Sequence, residues 1–287
     1  MPPTDILLTW YERRGRHDLP WRQTRDPYRV LVAEVMLQQT QVPRVIEPYE
    51  RWLRRWPTLE ALAEATAADV LREWRGLGYN RRALHLHALA QALRDRPFPR
   101  DLQALRRLPG IGPYTARAVL CFAFGEPCAP LDTNVGRVVA RHRFGRAPAE
   151  VARSRMQAVA DDWVAAQPRE LSFALMDLGA IVCRARPRCS ECPIAASCAF
   201  DSGSTPRAPA PPARTAEPFE RTARFARGRI VDLLRDLAPL PEERIASALP
   251  PFHQPRVAEY LAALLRDGLV ERDGSGWRLA EDRVRAE

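Results

Sequence analysis

Over roughly the first two hundred positions, apolar residues recur at spacings of three and four, with Pro and Gly punctuating between the runs. That period belongs to helices with one buried face. It predicts helices over 4–14, 28–40, 43–56, 67–75, 80–94, 101–107, 113–124, 134–143, 150–166 and 170–182. No long alternating strand pattern appears there, so the expected class is all-α. The period then lapses: DSGSTPRAPAPPARTAE, residues 201–217, is Pro, Ala and small polar residues, and opens a linker assigned to 201–224. Beyond it, Ile230, Leu233, Leu234 and Leu237 share one helix face. Ile245 and Leu249 mark a second helix, and Val257, Leu261, Leu264 and Leu265 a third. The tail GLVERDGSGWRLAE reads as two short strands around Asp273, Gly274, Ser275 and Gly276. Three helices and a hairpin make a small winged-helix-like module over 225–287, behind a helical domain over 1–200.

Length is consistent with one large domain and a small one, since 287 residues suffice to bury a sizeable core. No stretch approaches the ~20 uninterrupted apolar residues of a membrane span. The opening MPPTDILLTWYERRG lacks the basic-then-apolar pattern of an export signal, so the expected compartment is the cytoplasm. Net charge changes the picture more. At +9, with a pI near 9.8, the chain calls for an anionic partner, nucleic acid ahead of membrane. All 44 basic residues are Arg and none is Lys, which excludes a lysine Schiff-base mechanism. The one remaining amine of that kind is Pro2, if Met1 is removed.

Four motifs carry candidate chemistry. Leu108-Pro109-Gly110-Ile111-Gly112 lies between two predicted helices, where Gly110 and Gly112 let the backbone pass close to a phosphate; a plain helix–helix turn has the same residues. Cys183, Cys189, Cys192 and Cys198 are spaced C-x5-C-x2-C-x5-C. Without an export signal such a group reads as metal-binding, and a single C-x2-C pair suits a cubane iron–sulfur cluster better than a two-knuckle zinc site, with free thiols as the third reading. Cys121 and Cys128 lie apart and read as inert thiols. Glu34 sits in the apolar run VLVAEVML, where burial would raise its pKa and make it a general acid near neutral pH; a wet helix face is the alternative. Asp132, in PLDTNVGRVVA, precedes a predicted helix and is on that pattern an N-cap. Two carboxylates from separate helices facing one cleft are also what cleavage of a glycosidic bond requires.

Taken together, LPGIGPYTARA, LDTNVGRV some twenty residues later and the cysteine group resemble the helix-hairpin-helix glycosylases of the endonuclease III superfamily. DLPWR, EVMLQQTQV, GLGY and MDLGAIVC look specifically like the MutY-type branch, which excises adenine opposite oxidised guanine. The resemblance covers roughly residues 1–200 and implies a fold of two helical lobes, a [4Fe-4S] cluster in the loop 183–198, and double-stranded DNA with a flipped base as partner of a nucleoid-associated monomer. It implies Glu34 as the acid that protonates adenine at N7, Asp132 as the support of the oxocarbenium ion, and Tyr114 and Asn134 as residues orienting water and Asp132. It further implies Trp21, Arg22 and Leu37 around the adenine, Gln39 and Tyr79 entering the base stack, and Asp177 facing the pocket. Endonuclease III-type bifunctional enzymes have a catalytic lysine where Tyr114 stands, so a monofunctional enzyme is expected. Three features depart from the branch: x5 rather than x6 after Cys183, Asn80 in place of a second Tyr after GLGY, and a tail too short for the Nudix-like domain that reads 8-oxoguanine. A thymine or uracil mismatch glycosylase and a non-catalytic iron–sulfur DNA sensor are the competing readings.

Overall fold

Helices account for nearly all the regular structure of the computed structural model, which describes residues 4–200 and 217–281. In chain order they are α1 (Thr4–Arg14), α2 (Pro27–Leu37), α3 (Ile46–Arg55), α4 (Leu59–Glu64), α5 (Ala67–Glu73), α6 (Arg81–Ala92), α7 (Leu102–Arg106), α8 (Pro113–Val119), α9 (Thr133–Phe144), α10 (Arg153–Val164) and α11 (Pro168–Ile181). After the linker come α12 (Ala223–Leu237), α13 (Glu242–Ser247) and α14 (Val257–Arg266), then β1 (Val270–Asp273) and β2 (Gly276–Leu279). None of the described helices is long and apolar enough to cross a membrane.

The local departures from the sequence pattern have local causes. The helix expected over 28–40 stops at Leu37, and Gln39 takes a left-handed backbone with φ 55°. Nothing in Gln38-Gln39-Thr40 marks that stop, because the nearest breaker is Pro43. Helix α4 has no counterpart among the expected helices. At six residues it is too short to show a period, although Thr58 caps it by accepting from Ala61 N at 3.2 Å. Helix α8 widens into a π-turn over Leu120–Phe124 and ends at Gly125, whose φ of 73° requires glycine. The linker assigned to 201–224 is shorter at its far end, since Thr222 caps α12 through Phe225 N at 3.2 Å and the helix starts at Ala223. The part of that linker over 201–216 lies outside the described residues.

Two compact units cut across the sequence-based division at residue 200: one comprises 1–35 and 98–208, the other 36–97 and 209–287. In the first unit α11 is the axis. Leu171 through Gly179 are all buried, and the helix packs on α9 and α1. Where α11 meets α9 the backbones nearly touch, so that a Cβ on Gly179 would sit 2.6 Å from Asn134 Cβ and 2.8 Å from its carbonyl oxygen.

In the second unit the core holds Trp52, edge-on to Trp56 at 4.7 Å and to Trp74 at 5.5 Å between ring centroids. The C-terminal helices and hairpin belong to this unit. Helix α12 buries Ala226, Ile230, Val231 and Leu234, packing on α14 and β2 and on α5. Strands β1 and β2 pair antiparallel, with Val270 opposite Leu279. Arg235 of α12 is almost fully buried and donates to Leu71 O at 2.9 Å and Asn80 Oδ1 at 3.1 Å.

Candidate active site

The first unit assembles Glu34, Tyr114, Asp132 and Asn134 from three helices. Glu34 projects from α2, whose Val30 to Met36 are buried almost without interruption, and is itself only 7% exposed. That burial pushes its carboxyl up to about 7, with the Asp132 charge adding to the rise. A hydrogen bond from Tyr114 and the positive charge of Arg22 oppose it. Tyr114, the second residue of α8, is held well above the usual phenol range by burial and by Glu34, so it stays neutral and donates.

Asp132 is the N-cap of α9 and also lies close enough to Glu34 for its charge to act on it. Its Oδ1 accepts from Val135 N at 2.7 Å, and its Oδ2 accepts from Asn134 Nδ2 at 2.9 Å. Burial raises its pKa, while these bonds hold the rise down. Asn134 is fixed in turn by Arg137, whose Nη2 donates to Asn134 Oδ1 and to Gly179 O, each at 2.7 Å. Arg137 Nε also donates to Cys183 O at 2.5 Å. The sequence pattern does not single out Arg137, because its place on the polar side of α9 looks like a solvated arginine.

Trp21 and Arg22 lie in the 3₁₀ turn Pro20–Arg22, and both are buried at the side chain. Arg22 forms a bidentate pair with Asp177, Nη1 to Oδ2 at 2.7 Å and Nη2 to Oδ1 at 2.9 Å, and its guanidinium lies 4.5 Å from the Phe173 ring centroid. Asp177 is 0% exposed and also accepts from Arg16 N and Arg16 Nε, at 2.9 and 2.7 Å. These arginines hold its carboxyl below the usual carboxylate range against burial. Both Asp177 oxygens are thus engaged, and the carboxylate holds Arg22 in place. Arg169, which no sequence motif marks, fixes the chain around Arg22 by donating to Arg22 O at 2.7 Å and Thr24 O at 2.8 Å.

Leu37, Gln39 and Tyr79 belong to the second unit. Leu37 ends α2, and Gln39 and Tyr79 each occupy a left-handed backbone, φ 55° and 47°. Such strain persists only where surroundings enforce it. Arg82 is what enforces it. Its Nη1 donates to Met36 O at 3.1 Å and Gln38 O at 2.5 Å, and its Nη2 to Leu77 O at 2.9 Å and Gly78 O at 3.1 Å. One guanidinium thus ties both turns. In the sequence, Arg81-Arg82 looks only like a solvated helix start.

Of the two hairpin glycines in the first unit, Gly110 has φ 74° and needs to be glycine, whereas Gly112 is extended, and a Cβ placed on it would have nothing within 4 Å. The side of Gly112 that lacks a Cβ is open for an outside group to approach. Cys183, Cys189, Cys192 and Cys198 line one cavity with Arg141 and Phe200, and none is in a disulfide. Arg141 Nη1 approaches Cys183 Sγ at 3.6 Å and donates to Arg184 O, while its Nη2 donates to Ala185 O. Among the described residues no three His, Cys, Asp or Glu side chains converge on a point that one metal ion would fill.

Residues 32–161 match the HhH-GPD superfamily of base excision DNA repair proteins. The chain is also 44% identical over 282 residues to the adenine DNA glycosylase of Mycobacterium tuberculosis (strain CDC 1551 / Oshkosh), spanning 94% of this chain and 90% of that one. The chain belongs to the adenine DNA glycosylases. Among solved structures, a thermostable thymine-DNA glycosylase superposes with a TM-score of 0.63 at 31% identity, over 69% of this chain and 94% of that one. A non-covalent endonuclease III–DNA complex superposes with a TM-score of 0.54 at 25% identity, over 68% and 91%. These structures cover about two thirds of the chain, whereas the mycobacterial glycosylase aligns over nearly all of it. The short tail therefore occurs within this family, and the fold expected from the motifs is the one the structure has.

Proposed function

We propose that this adenine DNA glycosylase hydrolyses the N-glycosidic bond of adenine mispaired with 8-oxoguanine or G, as a monofunctional enzyme acting as a monomer on double-stranded DNA. The observation that carries this is Glu34: buried, hydrogen-bonded by Tyr114, beside Asp132 and balanced near pH 7 between acid and carboxylate. In its protonated form Glu34 gives its proton to the departing base as the glycosidic bond breaks. The Asp132 carboxylate faces the positive charge that develops on the sugar, and water then adds to C1′. Asn134 and Arg137 keep Asp132 in register, and Asp177 does the same for Arg22. The absence of any Lys supports the monofunctional outcome. Gln39 and Tyr79, on their strained turns, are the groups proposed to enter the base stack, with Trp21 and Leu37 beside the extruded base and Gly110 and Gly112 against the DNA backbone.

Four thiols around a shared cavity, with a single C-x2-C pair among them, suit a polynuclear iron–sulfur cluster better than a two-knuckle zinc site. Cys183, Cys189, Cys192 and Cys198 would hold the [4Fe-4S] group, and Arg141 would offset its negative charge. When bound it supplies a rigid cross-link for residues 183–198 and a redox-capable centre.

The test is base excision on four labelled duplexes, A·8-oxoguanine, A·G, T·G and U·G, revealed with alkali and controlled with Glu34→Gln. Release from the A-containing duplexes alone is expected, with a loss of roughly 10²–10⁴-fold in the variant and DNA binding kept. Release from T·G or U·G would move the enzyme to the mismatch-pyrimidine class; binding without release from any duplex would favour the sensor reading.

A further inference from the structure

Resting on the proposed DNA-glycosylase reading, we propose that the C-terminal helix α12 supplies a DNA-strand contact of its own: Arg224, poised on Tyr79, transfers its guanidinium to a phosphate of the strand that meets the Tyr79 turn. The Arg224 guanidinium lies 3.9 Å from the centroid of the Tyr79 ring, and its Nη1 donates to Tyr79 Oη at 2.6 Å. Both side chains are exposed, Tyr79 by 38%. A ring and a guanidinium presented together to solvent are the parts of a surface that stacks bases and neutralises backbone.

Among the described residues two exposed arginines of α12, Arg224 and Arg229, have no carboxylate partner, and of these Arg224 is the one that lies against Tyr79. Arg227 pairs with Asp267 and Arg235 with Asp232, so their charges are spent inside the protein. Besides Tyr79, Arg224 lies 5.6 Å from the centroid of the Phe219 ring and feels the like charge of Arg82, which faces the same Tyr79 ring at 5.5 Å. An exposed guanidinium without a counter-charge, held by one phenol, gives up little on moving to a phosphate and gains a charge-assisted, two-pronged bond. Nearby acids do not compete: Asp267 is taken by Arg227 and Arg81, and Asp236 by Arg75.

The placement of Arg224 is built, not incidental. Arg235, further along α12, donates to Asn80 Oδ1, next in sequence to Tyr79, and to Leu71 O on α5. Arg75 of the same turn region reaches Asp236 at 2.5 Å. Asn80, which departs from the pattern of its branch, is thus the residue that receives the C-terminal helix. On the other side, Arg82 fixes Leu77 and Gly78, so Tyr79 stands between two anchored segments with Arg224 over it.

The test measures binding of Glu34→Gln protein to an A·8-oxoguanine duplex between about 50 and 200 mM KCl, alone and with Arg224→Gln, Arg224→Lys or Arg256→Gln added. Each neutralised phosphate contributes about 0.9 to the slope of log K against log salt. Arg224→Gln is expected to make the slope shallower by about one, so that its affinity falls about threefold less than the parent's across that range. Arg224→Lys restores the slope because the charge returns, and Arg256→Gln leaves it unchanged because Arg256 is paired with Glu259. A parent-like slope in Arg224→Gln, even with a lowered Tm, would show that Arg224 only fastens α12 to the turn and would overturn the proposal. An equal loss in Arg256→Gln would overturn it too, by showing a general charge effect. A parent protein whose binding ignores salt would instead defeat the DNA reading itself.

Discussion

The two units use charge in opposite ways. In the first, ionisable groups are drawn inside: Glu34 is 7% exposed and Asp177 0%, and their surroundings set two different protonation states. Glu34 meets mostly apolar neighbours and is pushed up to about 7, whereas Asp177 meets Arg16 and Arg22 and is pushed down. In the second, the residues of interest stand at turns in solvent, and what is controlled is backbone shape. Gln39 and Tyr79 are held at positive φ by one arginine, Arg82, through four carbonyls. The contrast is between a region that tunes proton affinity by burial and one that fixes the posture of exposed groups by hydrogen bonding.

The sharpest way to break this comparison is through pH. Glu34 is a carboxyl with a raised folded-state pKa, so the native state binds its proton more tightly than the unfolded chain does. Native stability is therefore lost as pH rises from 4.5 to about 7, by roughly 3 kcal/mol, and no further loss from this group follows above that. Thermal denaturation at pH values on either side of that window should show Glu34→Gln gaining on the parent at the higher pH. Parallel curves would mean that burial does not tune Glu34. Single-turnover excision by the parent should likewise fall about tenfold per pH unit well above the Glu34 pKa of about 7 as the acid is lost.

A smaller effect is expected in the second unit. Arg82→Leu leaves carbonyls of both turns without their donor and should cost about 2 kcal/mol in chemical denaturation. It should also weaken DNA binding more than it slows excision at saturating DNA. A slowed excision step with binding intact would blur the division between the regions. The smallest effect is expected of Gly179→Ala, where α9 and α11 touch. A new Cβ 2.6 Å from Asn134 must push α9 away, at a cost of about 1 kcal/mol or somewhat more. Because Asn134 carries Asp132, excision should slow while binding holds; unchanged excision would show that the Asn134 position tolerates displacement.

Much of this was open to a reader of the sequence. The three-and-four period located most of the helices, with Pro and Gly punctuating between them. Glu34 could be picked out because a carboxylate amid VLVAEVML has few ways to avoid burial. Arg82, Arg137 and Arg169 could not, since a chain with 44 arginines offers no local sign of which ones turn inward. For Asp132 the sequence favoured a cap, and the structure shows that cap, with the second carboxylate oxygen accepting from Asn134.

By itself the sequence determined the all-α class of the first two hundred residues and the helix-hairpin-helix and cysteine motifs. These depend on nearest neighbours and fixed spacings. The tertiary structure alone decided that Asp177 answers to Arg22, that Arg82 governs two turns some forty residues apart, and that α12 brings Arg224 onto Tyr79. Each is an agreement between donors and acceptors far apart in the chain. Hydrogen bonds of that kind leave no period in a sequence, because only the folded path brings their partners within about 3 Å.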